Sequence, residues 1–265
     1  QCMRTACSSI EEVEMLINTV VYNEKHISEP ALAALIQDTL ENGSCDAGTK
    51  TLTGRKLFSF DLNNGGGGVL TAFRVTDGFI RSGTVKKGVI TAGDARPATG
   101  ETVNYPYADS AGAVFLSDDP SQKGFVSFRN DTWPDYAMDF QSFLSWNSGH
   151  LKLDIVQRDD YALHCVACAE KSLRKFLADE NLSPADINLV LASPSPVQFS
   201  AGLQKSMNWK DNMVETDRSP EFYSSGICLP LSSTIVNGLF RNARHILFVT
   251  AGPGITISMA LYQNG

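Results

Sequence analysis

No stretch of the 265-residue chain is apolar for long enough to span a membrane, and its opening residues carry no signal-peptide pattern. Basic runs are missing too. With a net charge of −7, the chain offers no electrostatic footprint for nucleic acid or for an anionic membrane surface. Cysteine is sparse: six residues in a chain too large to need disulfide staples, which points to a reduced, cytoplasmic setting. Four histidines, His26, His150, His164 and His245, lie in separate segments and limit the choice of a general base. The G-x-G-x-x-G spacing of a dinucleotide loop, with its distal acid, is also absent, so no nucleotide cofactor is expected.

What is present suits a globular α/β protein. The chain is 43% hydrophobic and 19% charged, enough for one large domain or two smaller ones. Residues 15–21 read as an apolar strand. Ser28-Glu29-Pro30 then supplies helix-start chemistry for an amphipathic run over 31–40. A second strand at 57–62 breaks at Asn63-Asn64-Gly65-Gly66-Gly67-Gly68. A helix pattern covers 69–82, and strands follow at 85–93 and 111–117. Such alternation predicts a mostly parallel, buried sheet.

The plan then repeats, with a helix at 158–180, a strand at 187–192, a helix from about 197, a helix at 226–240 and a strand at 246–250. Thr91-Ala92-Gly93 ends a strand in the first half, and Thr250-Ala251-Gly252 ends its counterpart in the second. The expected division is therefore 1–118, a connecting segment 119–149 and 150–265. The connector is rich in aromatics (Phe125, Phe128, Trp133, Tyr136, Phe140, Phe143, Trp146) and reads either as a packed cap or as a substrate-covering loop. Cys165 and Cys168 form a C-x-x-C inside the 158–180 helix. With no second ligand pair at metal spacing, they read as small packing residues and no metal site is expected.

Three stretches resemble the ketoacyl synthase III family of the thiolase-like superfamily. The first runs from Phe58-Ser-Phe-Asp-Leu-Asn-Asn through the four glycines to Val-Leu-Thr-Ala. The second is Gly78-Phe-Ile-Arg-Ser-Gly with Gly88-Val-Ile-Thr-Ala-Gly-Asp, and the third is Thr250-Ala-Gly-Pro-Gly-Ile-Thr. The resemblance covers nearly the whole chain. It implies an α/β thiolase fold: two pseudo-symmetric βαβαβ halves in a layered α/β/α/β/α sandwich. It also implies dimerisation through the strand next to the nucleophile, and an acyl carrier protein or acyl-coenzyme A as partner. The family places a further strand and helix before the segment matching Met15, roughly forty to fifty residues on average element lengths. These are expected in the native protein, in a partner, or to have been removed.

In the family, a cysteine at the start of the nucleophile helix takes the acyl group, its pKa lowered by the positive helix end. A histidine and an asparagine from the second half activate the extender and stabilise the enolate and oxyanion. Counted from Phe60-Asp61, the cysteine position is Gly66. The histidine position is Ser193, and the asparagine position, before Gly226-Ile-Cys-Leu-Pro, is Tyr223.

None of the three retains the family residue, and glycine cannot be acylated. The primary expectation is a non-catalytic subunit that partners an active homologue, as a heterodimer, or that forms a homodimer. The alternatives are an acyltransferase, thioesterase or decarboxylase using the same pocket without the cysteine, and a protein that binds an acyl chain without turnover. In those readings Gly65, Gly66, Gly67 and Gly254 offer backbone N–H groups as an oxyanion or anion site, with Ser193 and Tyr223 as polar helpers. Tyr223 equally serves as a plug for the emptied pocket. Cys228 reads as packing at a small-residue helix start.

Overall fold

The computed structural model describes residues 2–6, 8–42, 57–97, 105–119, 121, 123–147, 149–209, 212 and 221–265. Cys7 and Cys45 fall outside them.

The chain opens with one helical turn, α1 (Cys2–Thr5), and a Ser9-capped turn that leads into β1 (Met15–Thr19). All five residues of β1 are buried, and Met15, Leu16 and Ile17 have no exposed surface. A run that is apolar on both faces belongs in the middle of a parallel sheet. β1 indeed lies between β2 (Phe58–Asp61) and β3 (Lys87–Asp94), parallel to both. Burial of each of those three side chains stabilises the fold by roughly 1.5–3 kcal/mol. Helix α2 (Leu32–Asn42) connects β1 to β2, and α3 (Gly68–Arg81) connects β2 to β3. β4 (Ser110–Ser117) runs antiparallel to β3 and completes the order β2-β1-β3-β4.

The second sheet has the order β5-β10-β9-β8. β8 (Leu189–Ala192) and β9 (His245–Gly252) are parallel, and β10 (Thr256–Gln263) turns back antiparallel to β9. The antiparallel pair β9–β10 thus repeats β3–β4. β5 (Gly124–Thr132), from within the aromatic connector, pairs antiparallel with the free side of β10. The Arg81 guanidinium donates to the Phe125 carbonyl, tying the end of α3 to β5. β6 (Phe140–Asn147) and β7 (His150–Gln157) form a separate hairpin. Among the connector's aromatics Phe125 and Phe140 are buried, while Phe143 and Trp146 are exposed.

α4 (Tyr161–Asp179) precedes β8 and α5 (Phe199–Met207) follows it. The single helix expected over 226–240 is two: α6 (Cys228–Val236) and α7 (Leu239–Asn242). Gly238 at φ +81° separates them, a left-handed conformation that ends a helix. Both core clusters cross the boundary between halves. One joins Val69 and Phe73 of α3 to Phe248 of β9, and the other joins Tyr22 and Tyr107 to Val190 and Leu203. The expected mixed α/β architecture with two similar sheets is therefore what the chain forms.

Candidate functional site

The start of α3 is where chemistry would be expected. Gly65–Gly67 form a 3₁₀ turn that runs directly into α3. The first N–H groups of a helix have no intrahelical acceptor, yet here two glycines of the turn find one close by. The Gly67 N–H donates to the Asn64 carbonyl at 2.9 Å, and the Gly65 N–H to Asn63 Oδ1 at 3.4 Å. The Gly66 N–H faces the Tyr223 phenol and acts to lower its pKa. Asn64 Nδ2 in turn donates to Thr71 Oγ1 at 2.8 Å, whose hydroxyl donates to the Gly67 carbonyl at 3.0 Å, fastening the turn to the first coil of α3.

The β9–β10 turn rests on this helix start. A Cβ built on Gly66 would stand 2.7 Å from the Ala251 carbonyl oxygen, closer than real Cβ contacts allow. On Gly65 it would lie 2.9 Å from Pro253 Cδ and 3.2 Å from the Tyr223 hydroxyl oxygen. On Gly67 it would meet Ser258 Oγ at 2.7 Å. Position 66 thus lacks more than a side chain. The backbone of the opposite half occupies the place where one would begin. Gly254, at φ +74° in the same turn, has open space on its Cβ side.

Tyr223 is 3% exposed and stacks on Tyr107, with ring centroids 4.6 Å apart. Tyr22 lies 5.7 Å from Tyr223 and 5.4 Å from Tyr107, Phe140 is 6.2 Å from Tyr223, and Tyr161 follows at 5.6 Å from Phe140. Contacts of this kind add about 0.5–1.5 kcal/mol each beyond burial. Burial pushes the Tyr223 phenol well above its ordinary pKa, with the Gly66 N–H pulling the other way, and it pushes Tyr22 up to about 12. These phenols stay neutral near pH 7 and are not bases.

A buried carboxylate sets this stack. Asp94, at the end of β3, is 4% exposed. Its Oδ1 accepts the N–H groups of Val21 (3.3 Å) and Tyr22 (3.1 Å) and the Ser224 hydroxyl (2.9 Å), and its Oδ2 accepts the Ser224 N–H at 2.6 Å. Desolvation raises its pKa, and the four donors act against that rise. The residues on either side of the ring contact, Tyr22 and Tyr223, are thereby fixed by one group. The sequence offered a signal for it: Asp94 closes the Gly88–Asp94 motif. Tyr22 and Tyr107 had none, because their convergence depends on three segments far apart in the chain.

Ser193 is fully buried and sits in the turn after β8. Its N–H donates to the Val249 carbonyl at 3.0 Å, and its Oγ accepts the Ser195 N–H at 3.3 Å. His164 bonds Asp139 at 2.6 Å and His245 bonds the Asp186 carbonyl at 3.0 Å, so neither imidazole is spent on Ser193. Cys228 lies over the Gly112 face of β4, and burial pushes its thiol up to about 12. Cys165 and Cys168 are buried in α4 with thiols pushed up by desolvation to about 12 and about 11. Asp139, Asp160 and His164 converge nearby, but Arg158 reaches both acids, at 3.6 and 3.2 Å, and supplies the cation there.

Two substitutions test this geometry. Asp94→Asn must turn an amide N–H₂ toward a donor, and it is expected to lower unfolding free energy by about 1–3 kcal/mol in urea titrations. Gly66→Cys drives its Cβ into the Ala251 carbonyl and is expected to cost about 1–3 kcal/mol by the same measurement.

Comparison with known proteins agrees with this architecture. The family 3-Oxoacyl-[acyl-carrier-protein (ACP)] synthase III matches residues 60–132, the stretch from β2 to the end of β5. A beta-ketoacyl-[acyl-carrier-protein] synthase III of Xanthomonas campestris is 22% identical over 277 residues, covering 99% of this chain and 80% of the relative. Its counterpart in Granulibacter bethesdensis is 22% identical over 231 residues, covering 80% and 69%. The crystal structure of 3-oxoacyl-[acyl-carrier-protein] synthase III from Aquifex aeolicus superposes with a TM-score of 0.78 at 19% identity, covering 99% of this chain and 80% of that one. The chain thus has the thiolase fold of these synthases, and over residues 60–132 its sequence resembles the 3-oxoacyl-[acyl-carrier-protein] synthase III family.

Proposed function

We propose that this chain is a non-catalytic ketoacyl synthase III-like subunit of fatty acid- or polyketide-type acyl thioester metabolism, acting beside an active condensing-enzyme homologue. One observation carries the reading. The Ala251 carbonyl stands where a side chain at Gly66, at the head of α3, would begin, and the Tyr223 ring packs beside the same spot. A nucleophile needs both a reactive atom and space for the acyl group it receives. Here the reactive atom is gone and aromatic rings hold the space. The same filling argues against an oxyanion site, whose donors must be free to meet developing charge. Ser193 has no adjacent base, and a serine without one is a poor nucleophile.

The partner surface in this proposal is the outer edge of β2. Among the described residues β2 pairs only with β1, and Phe58 on it is 52% exposed beside Phe60 and Phe79. An open strand edge with an aromatic row is a template for another strand. A homologue or a second copy adding its own β2 there would continue the sheet across a two-fold axis. The acyl carrier protein named in the relatives' titles is then the carrier for the pair, with acyl-coenzyme A as the other source of acyl groups.

Intact-mass spectrometry after incubation with acyl-coenzyme A, with and without the nearest cysteine-containing homologue, tests the reading. The expected result is an adduct on the homologue alone, together with a heterodimer peak. An adduct on this chain, at Ser193 or Cys228, or thioester turnover by this chain alone, would transfer the assignment to an acyltransferase, thioesterase or decarboxylase. Phe58→Asp places a charge on the β2 edge and is expected to shift the protein from dimer to monomer in sedimentation equilibrium.

A further inference from the structure

A second group of chemistry-bearing side chains converges away from the glycine turn, where the β6–β7 hairpin meets α4. Asp139 directly precedes β6 and Arg158 directly follows β7. The Arg158 N–H donates to the Asp139 carbonyl at 2.9 Å, which closes the base of the hairpin. Asp160 stands at the start of α4, and its carbonyl accepts the His164 N–H at 3.0 Å. That first helical bond brings the two side chains onto one face, a turn apart. Ligand atoms of Asp139, Asp160 and His164 all lie within 4.8 Å of one another.

Which atoms face each other decides what this group can do. Arg158 Nε faces Oδ1 of both acids, at 3.6 Å from Asp139 and 3.2 Å from Asp160. The Oδ2 atoms face the His164 ring instead, Asp139 at Nδ1 (2.6 Å) and Asp160 at Nε2 (3.8 Å). A carboxylate oxygen accepts, so the proton of the short bond belongs to Nδ1. In a neutral ring Nε2 then carries a lone pair. Its neighbour is also an acceptor, because the Arg158 guanidinium holds the Asp160 carboxyl below its ordinary pKa. The 3.8 Å between them is too long for a hydrogen bond. Two acceptors so placed need something positive between them. Zinc lies about 2.0–2.2 Å from nitrogen and oxygen ligands, which spaces two ligand atoms on a tetrahedral ion about 3.4 Å apart. A small rotation closes the difference, since the His164 and Asp160 side chains are 31% and 41% exposed.

We infer that His164 Nε2 and Asp160 Oδ2 form a site for a divalent cation of the zinc type, oriented by Asp139, with water completing its coordination. The other ring nitrogen supports this. Metal-binding histidines donate it to a carboxylate that fixes tautomer and orientation. Asp139 does so here from a side chain only 9% exposed, and the Tyr136 ring, 4.6 Å from that of His164, holds the imidazole plane. Asp139, Asp159 and Asp160 surround a single guanidinium, so the local field draws in a further cation. Imidazole with carboxylate suits zinc better than the harder magnesium or calcium. Two protein ligands make a weaker site than the four of a structural zinc centre. Bound there, the ion joins the start of α4, through His164 and Asp139, to the base of the hairpin.

The test is titration of the chain with zinc chloride, read by isothermal calorimetry and by thermal unfolding. One ion per chain is expected to depend on this site, with a Tm that rises and saturates. Asp160→Asn keeps a good helix cap, so its Tm without zinc is expected to stay near that of the parent while the zinc response disappears. Asp139→Asn leaves both ligands in place and is expected to weaken binding about 10–100-fold. Arg158→Gln removes the competing charge and is expected to tighten it. An undiminished response in both His164→Gln and Asp160→Asn would put the ion elsewhere, at the cysteines for example, and overturn the inference. So would a parent chain that ignores zinc yet loses a pH dependence of stability near neutrality on His164→Gln. That result would give the place between Nε2 and Asp160 to a proton.

Discussion

One buried carboxylate organises the centre of this molecule. Asp94 takes four donors from two segments that would otherwise be independent: the chain leaving β1 and the chain entering α6. Burying an ionisable group costs free energy, and its raised pKa records that cost. The group is tolerated because each hydrogen bond to a charged acceptor returns about 1.5–3 kcal/mol. What the arrangement achieves is positional. With Tyr22 and Ser224 fixed, Tyr223 has little freedom, and its phenol faces the Gly66 N–H. The head of α3 is crowded as a consequence of a clamp some distance from it.

That crowding bears on how the positive end of a helix is used. An N-terminus stabilises a nearby anion by about 0.3–1 kcal/mol at the surface and up to about 2 when partly buried. Here the group facing the Gly66 N–H is a phenol, in surroundings that hold it protonated. The helix end satisfies a structural group and polarises none. Glycine at 66 fits the same logic, since the Ala251 carbonyl approaches closer than any Cβ permits. An emptied pocket would forfeit packing energy in proportion to its volume. Here the rings of Tyr22, Tyr107, Phe140 and Tyr223 pack on one another beside the glycine turn. A side chain added at position 66 alone would leave the rings and the Asp94 clamp in place, so the proposed silent-subunit role rests on the site as a whole.

How much of this could be read from the sequence depended on how local each determinant is. β1 was legible because Met15, Leu16 and Ile17 are consecutive apolar residues followed closely by Val20 and Val21, and α3 because its buried Val69, Leu70, Ala72, Phe73 and Thr76 follow helical spacing. The split between α6 and α7 was not, since an isolated Gly238 within an apolar pattern is compatible with a continuous helix until its φ is known. β5 escaped notice because Arg129, Asn130 and Asp131 interrupt its pattern. Its partner β10 is some 125 residues further on, beyond any local signal. The three positions Gly66, Ser193 and Tyr223 were found by resemblance. Their replacements could be named from sequence, but the stacking of Tyr223 on Tyr107 and the closing of Ala251 over Gly66 are products of tertiary folding.

The two halves, though similar, carry unequal burdens. The first supplies α3 and the turn of glycines. The second supplies the groups that crowd Gly65, Gly66 and Gly67 from across the boundary: Tyr223, the β9–β10 turn and Ser258. Its sheet is sealed at β10 by β5, so the turn between β9 and β10 is held on a strand paired on both sides. The first sheet has open edges at both β2 and β4 among the described residues. The second sheet also ends in unpaired edges among the described residues, at β5 and β8, but the two strands that carry the blocking turn are each paired on both sides. In a pseudo-symmetric fold, rigidity on the blocking side is what keeps a filled site filled. Motion at β2 or β4 reaches α3 through β1 and β3, whereas withdrawing Tyr223 or Ala251 would require breaking the Asp94 clamp or the β9–β10 ladder.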